Sequence, residues 1–189
     1  MPVDQIKYAE IVKQLNDKNV TLVAVSKTKP VEDILALYHS GQKDFGENYV
    51  QELVDKQQQL PRDIRWHFIG HLQSNKVKYI APFIYLIHGV DSFKLLKEIN
   101  KQAKKFHRII HVLLQVHIAQ EETKFGLDEH ELEEILNHKE LGELQNIYIS
   151  GLMGMASFSE DEQVIKGEFQ YLKLLFNTHS KLVTNNCKL

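Results

Sequence analysis

A lysine, Lys27, stands directly after the first apolar run of the chain, in the stretch TLVAVSKTKP at residues 21–30. The run from Leu22 to Ser26 predicts a buried strand, and the carboxyl ends of parallel strands are where α/β proteins commonly place their chemistry. An amine among apolar walls loses proton affinity, and a neutral amine can attack an aldehyde to form a Schiff base. Position alone leaves two interpretations open: a reactive amine, or a lysine that merely begins a loop.

Residues at other predicted strand ends also allow two interpretations each. Asn48 is suited to bind a ligand oxygen, or equally to cap the helix that follows. Gly46 permits either close approach of a ligand or an easier turn. Met153, together with Met155, would form an apolar wall of a pocket, or belong to the core.

Histidines at the predicted strand ends raise the alternative of a metal site, since imidazole is the commonest metal ligand. No HxH pair follows the first strand and no HExxH motif occurs, so we favour ordinary core or rim histidines. The sequence gives little support for a catalytic nucleophile, because Cys187 lies near the chain end and no GxSxG motif is present. The histidines concerned are His67, His71, His88, His111 and His117.

The elements that must position these residues alternate along the chain. Predicted strands begin near residues 21, 44, 65, 85, 110 and 147, and each is followed by a helix. This alternation, with apolar residues at consecutive strand positions, predicts a parallel sheet with strands buried on both faces. An open doubly wound sheet and a (β/α)8 barrel are both compatible with it, although the first strand lacks a GxGxxG motif. Helices are predicted over residues 4–16, 31–39, 50–60, 72–81, 93–106, 126–141 and 159–182.

Composition sets outer bounds on function. The 189 residues suit a single domain, and a net charge of -2 gives no reason to expect nucleic-acid or polybasic membrane binding. One cysteine fits a reducing compartment, and neither a signal peptide nor a membrane span is indicated. The sequence therefore predicts a cytoplasmic protein that binds neither nucleic acid nor membrane.

Four motifs taken together resemble a known family. VAVSKTKP, FGENYVQE, WHFIGHLQSNK and SGLMGMA match, in order and spacing, the pyridoxal-phosphate homeostasis proteins, from about residue 20 to residue 176. The resemblance implies a (β/α)8 TIM-barrel of pyridoxal 5'-phosphate (PLP) fold type III, similar to the N-terminal domain of alanine racemase. About six βα units of that barrel are visible in this chain.

What the resemblance implies for the site is specific. It places PLP as a Schiff base on Lys27, Asn48 near the cofactor, and Met153 beside its ring. It implies a PLP-binding protein without robust catalysis that keeps vitamin B6 pools in balance. PLP-dependent enzymes would then receive the cofactor, and the intact fold would be a monomer.

The sequence departs from the family near its end. Family members continue for roughly forty residues that supply a phosphate cradle and an arginine at the pyridine nitrogen, whereas this chain ends at THSKLVTNNCKL. We therefore expect a single barrel domain, residues 1–189, that is truncated at its C-terminus. The alternatives are a PLP-dependent racemase or decarboxylase of the same fold, which would need a second β domain, and a metal-dependent barrel hydrolase.

Overall fold

The chain folds around one parallel sheet, as seen in a computed structural model that describes residues 3–121 and 124–180. Its six strands are β1 (Ala24–Val25), β2 (Asp44–Glu47), β3 (Arg65–Phe68), β4 (Leu86–Val90), β5 (Ile110–Val116) and β6 (Ile147–Gly154). Its helices are α1 (Gln5–Asn16), α2 (Val31–His39), α3 (Val50–Gln59), α4 (Val77–Ile80), α5 (Phe93–Lys105), α6 (Glu129–Leu136) and α7 (Glu162–His179).

The order of the strands in the sheet is their order in the sequence, β1 to β6, and every pairing is parallel. A doubly wound sheet reverses its order at a switch point, whereas a (β/α)8 barrel adds each strand beside the one before it. The arrangement is therefore that of a barrel, and six βα units are present. The prediction of an α/β protein of the barrel type is confirmed.

The two faces of the sheet differ in composition. One face carries the aligned row Phe68, Ile87, Val112 and Ile149, which is buried under the helices and forms the hydrophobic core. We call the opposite side the inner face. It carries the aligned row Gly46, His67, Leu86, His111 and Tyr148.

The prediction that the strands are buried on both faces is confirmed for β2, whose four residues are all buried, but is wrong for β1 and for part of β5. β1 is only two residues long rather than Leu22 to Ser26, and Val25 on the inner face remains 53% exposed. His111 of β5 is also exposed on that face. Apolar runs along the sequence predicted burial of both sides, but at Val25 and His111 the described residues leave the inner face exposed.

The predicted helices are found, with shifted ends. The segment 72–81 forms a 3₁₀ turn, Ser74–Lys76, followed by the short helix α4. The acidic segment 126–141 narrows to α6, which begins at an Asp128–Glu131 capping box and is followed by a second 3₁₀ turn at Leu141–Glu143. The closing helix predicted over 159–182 is α7, and its last two predicted residues lie outside the described part of the chain, as does Cys187. Within residues 3–121 and 124–180, no helix combines the length and hydropathy needed to cross a bilayer.

Candidate functional site

Lys27 and Asn48 lie at the carboxyl ends of neighbouring strands. β1 pairs with β2 through Val25 and Gly46, and the Ser26 N–H donates to the Gly46 carbonyl at 2.9 Å. Continuing this register by two residues sets Lys27 level with Asn48. Lys27 is exposed, in the turn after β1, so the apolar walls expected around it are not provided by the described residues.

Asn48 does not cap the helix that follows it. The N-cap of α3 is Tyr49, and no side chain makes a capping hydrogen bond there. The Asn48 Oδ1 atom is buried, and it has no hydrogen-bond partner within the described residues. A buried carbonyl oxygen left without a donor is costly, which makes this atom available to a ligand that brings one.

Gly70 explains how the loop after β3 approaches Asn48 so closely. A Cβ atom at position 70 would lie 2.6 Å from the Asn48 carbonyl oxygen and 2.9 Å from its Cα. Such distances exclude any side chain at position 70 unless the backbone moves. The glycine within WHFIGHLQSNK is therefore required by contact between two strand-end loops.

Gly46 has a different role from the two considered for it. It lies within β2 rather than in a turn, and its missing side chain leaves room for Ile69 and Val23, whose atoms would lie 3.0 and 3.2 Å from an added Cβ. Side chains of this protein, and not an open space for a ligand, occupy that position.

Met153 lies on β6, where it pairs with Gln115 of β5 and is half-buried. Three strands separate β6 from β2 in the sheet. The structure thus places Lys27 and Asn48 just after two neighbouring strands, β1 and β2, but does not place Met153 next to them in the strand order. Met155, considered with it, is 41% exposed.

A buried lysine on α3 holds the backbone just before Lys27. The Lys56 Nζ atom donates to the Ser26 carbonyl oxygen at 2.7 Å, to Glu47 Oε1 at 2.7 Å and to Glu52 Oε1 at 2.6 Å. An ammonium group has three N–H donors, so all three are used. Lys56 is buried, and Glu47 is completely so.

Two further hydrogen bonds complete this group. The Ser26 hydroxyl donates to Glu47 Oε1 at 2.7 Å, and the Thr28 N–H donates to Glu52 Oε1 at 2.6 Å. Burial raises the pKa of Glu47, although the hydrogen bonds from Lys56 and Ser26 oppose that rise. We call Glu47, Glu52 and Lys56 the α3 brace.

A second polar group lies on the inner face, toward the amino ends of the strands. Arg65 pairs with Asp44 through two hydrogen bonds, and the Nε2 atom of His67 lies 3.0 Å from Asp44 Oδ1. Burial would raise the pKa of Asp44, but the hydrogen bonds from Arg65 and His67 outweigh it and hold that pKa below its ordinary value. Burial lowers the pKa of His67, against the attraction of Asp44.

His88 ends this chain of contacts, since its Nε2 atom lies 2.8 Å from Nδ1 of His67. Burial first, and the neighbouring His67 second, lower the pKa of His88 from 6.5 to about 4. Both imidazoles are therefore neutral near pH 7.

The other three histidines considered for a metal site have protein partners. The Nδ1 atom of His71 lies 3.5 Å from Asp91 Oδ2, and its ring stacks on Phe125. His111 hydrogen-bonds the Ser150 hydroxyl at 2.8 Å, and His117 lies 3.0 Å from the Glu121 carbonyl oxygen. Across the described ranges, no three His, Cys, Asp or Glu side chains come together in a way that could hold a metal ion.

Sequence reasoning missed the α3 brace. Glu52 and Lys56 are four residues apart on a helix, which is the spacing of an ordinary exposed ion pair. The available signal was Glu47, a carboxylate at the end of a strand predicted to be buried, because a buried charge requires a partner.

Comparison with known proteins agrees with this geometry. Residues 5–185 match the family model described as alanine racemase, N-terminal domain. The pyridoxal phosphate homeostasis protein of Vibrio alginolyticus is 38% identical over 179 residues, which cover 92% of this chain and 76% of the relative. The human protein of the same name is 39% identical over 161 residues, covering 80% of this chain and 58% of its own length.

Solved structures show the same fold. PipY of Synechococcus elongatus PCC7942, a COG0325 family member determined with PLP bound, is 32% identical and superposes with a TM-score of 0.83 over 94% of this chain and 82% of PipY. Alanine racemase of Clostridium difficile 630 superposes with a TM-score of 0.73 at 15% identity, covering 99% of this chain and 50% of the racemase. The predicted likeness to the N-terminal domain of alanine racemase is thereby confirmed as a likeness of fold.

Proposed function

The chain belongs to the pyridoxal phosphate homeostasis protein family, and from this premise we propose that it binds PLP as a Schiff base on Lys27. The observation that carries the proposal is the pairing of β1 with β2: Lys27 lies in the turn after β1, and Asn48, whose buried Oδ1 atom has no partner among the described residues, directly follows β2. The relative PipY, determined with PLP bound, supports the choice of cofactor.

The proposed linkage follows from ordinary amine chemistry. Lys27 would hold the cofactor through a C=N bond between its Nζ atom and the aldehyde carbon, and the aldehyde oxygen would leave as water with the two amine protons. Asn48 Oδ1 would accept a hydrogen bond from a donor on the ligand. PLP, when bound, supplies an electron-withdrawing ring, and this chain would supply the amine and its orientation. We assign none of the described residues to the phosphate group.

We further propose that the protein holds and delivers the cofactor without robust catalysis of its own. The names of the relatives support this, because they describe homeostasis rather than a reaction. The racemase likeness, at 15% identity, concerns the fold alone. On this proposal the protein acts in the cytoplasm as a monomeric single domain, and PLP-dependent enzymes receive the cofactor.

Trapping the linkage tests the proposal. The protein is incubated with PLP, the C=N bond is reduced with borohydride, and the modified peptide is identified by mass spectrometry. We expect labelling at Lys27 and loss of both the label and the visible absorbance band in Lys27→Ala. The matched control is Lys29→Ala, two residues away in the same exposed turn, which should keep both. Labelling at another lysine would contradict the assignment.

Catalysis and transfer are tested separately. Rapid interconversion of alanine enantiomers by the loaded protein would contradict the non-catalytic role. Failure of the loaded protein to activate any apo-form PLP-dependent enzyme faster than free PLP does would contradict delivery.

A further inference from the structure

We propose that Glu52 and Lys56 are positioning residues that fix the backbone of Lys27 for bond formation with the cofactor aldehyde. The inference rests on the proposed function, since a rigid Lys27 backbone matters only if Lys27 binds the cofactor. The support comes from α3, the helix that follows β2, and not from the helix that follows β1.

The two residues act on the two peptide groups that flank the Lys27 Cα. The peptide between residues 26 and 27 is held by its carbonyl oxygen, which accepts from Lys56 Nζ at 2.7 Å. The peptide between residues 27 and 28 is held by its N–H, which donates to Glu52 Oε1 at 2.6 Å. Because a hydrogen bond anchors the peptide plane on each side of the Lys27 Cα, both backbone torsions of Lys27 are restrained.

The conformation held in this way is an uncommon one. Thr28 has a φ of +61°, in the left-handed region that a β-branched residue rarely adopts. Strained residues of this kind persist where the surrounding structure over-determines them, and they cluster at functional sites. The Thr28 N–H is the atom that Glu52 holds, so the contact and the strain coincide at one residue.

Two of the three charges in the brace are buried, and the side chain of the third, Glu52, is 24% exposed. The side chains of Lys56 and Glu47 are 7% and 0% exposed, and Glu47 also accepts from the Ser26 hydroxyl. Taking one member from a buried ion pair leaves a costly unpaired charge. An i, i+4 ion pair can stabilise a helix while fully exposed. The contacts with residues 26 and 28 therefore distinguish this pair from an ordinary surface pair.

Glu52→Ala is the decisive variant, because it removes the bond to Thr28 while the buried Glu47–Lys56 pair remains. Asp55→Ala is the matched control, since Asp55 is an exposed acid on the same helix and its side chain accepts a hydrogen bond from Gln51. Each loaded protein is diluted and the release rate of PLP is measured, together with the circular dichroism of the visible band, which reports a rigidly oriented chromophore.

We expect Glu52→Ala to release PLP roughly tenfold faster, the effect of losing one hydrogen bond to a charged group. Its visible circular dichroism should weaken, and its urea midpoint should fall modestly, because the same hydrogen bond also contributes to folding stability. Glu52→Gln keeps an oxygen that can accept from Thr28 and should recover most of the effect. Asp55→Ala should match wild type in all three measurements.

Two outcomes separate the inference from the proposed function. If borohydride labels Lys27 in every variant, and Glu52→Ala releases PLP at the wild-type rate with unchanged dichroism, the positioning role is wrong and the Schiff base stands. If borohydride fails to label Lys27 in the wild-type protein, the proposed function itself is wrong.

Discussion

The neutral state of His88 makes the stability of the fold depend on pH. His88 lies 2.8 Å from His67, which in turn contacts Asp44, itself paired with Arg65. Burial and the His67 ring lower the pKa of His88 from 6.5 to about 4. Between these values the unfolded chain binds a proton that the native protein does not, so stability must fall as the pH falls.

The size of the effect follows from the two pKa values. At pH 7 the unfolded state gains only about 0.2 kcal/mol from protonation of His88, and at pH 5 it gains about 2 kcal/mol. The free energy of unfolding should therefore decrease by about 2 kcal/mol between pH 7 and pH 5 through this residue alone. The decrease approaches a limit of about 3 kcal/mol below pH 4, where both states are protonated.

Urea unfolding of wild type and His88→Gln at several pH values isolates this contribution. Glutamine has no charge to gain and can still hydrogen-bond Nδ1 of His67, so the variant should lose about 2 kcal/mol less than wild type over this range. His130→Gln is the control, because the His130 side chain is 78% exposed, and it should follow the wild-type curve. Parallel curves for wild type and His88→Gln would refute the reasoning.

Further predictions concern single positions in the fold. Gly70→Ala should lower the free energy of unfolding by about 1–3 kcal/mol in urea titrations, because its Cβ would lie 2.6 Å from the Asn48 carbonyl oxygen. Gly167→Ala, where an added Cβ meets no atom within 4 Å in the middle of α7, should instead raise it by up to about 1 kcal/mol. Asp128→Ala should lower it by about 1 kcal/mol by breaking the capping box with Glu131, and an unchanged urea midpoint would contradict that role.

The sequence predicted the fold well where apolar runs and helical periodicity are strong. The predicted strand starts at 44, 65, 110 and 147 coincide with those of β2, β3, β5 and β6. β1 was predicted too long, because TLVAVS is apolar throughout although only Ala24 and Val25 pair with β2. Burial of a strand depends on which other elements pack against each of its faces, and the composition of the strand alone does not predict that.

The roles of Lys27 and Asn48 stay predictions. Both residues were singled out by their positions at predicted strand ends, which gather at one edge of a parallel sheet, and the family resemblance then assigned them to the cofactor. The α3 brace was not predicted, because an i, i+4 Glu–Lys pair has the same sequence pattern whether it is exposed or buried. Only the packing of α3 against the turn after β1 distinguishes the two cases. The hydrogen bonds of that packing join residues that are 24 and 30 positions apart in the sequence.

The same connection explains why the FGENYVQE motif extends beyond its strand. Glu47 faces the helices and Asn48 follows it, so consecutive residues point to opposite faces of the sheet. One of them anchors Lys56 beneath the Lys27 turn, and the other lies level with Lys27 at the strand edge. The segment from residue 45 to residue 56 thus supplies both the proposed cofactor contact and the support of the lysine. A one-residue shift of this segment would exchange the two faces and lose both roles at once.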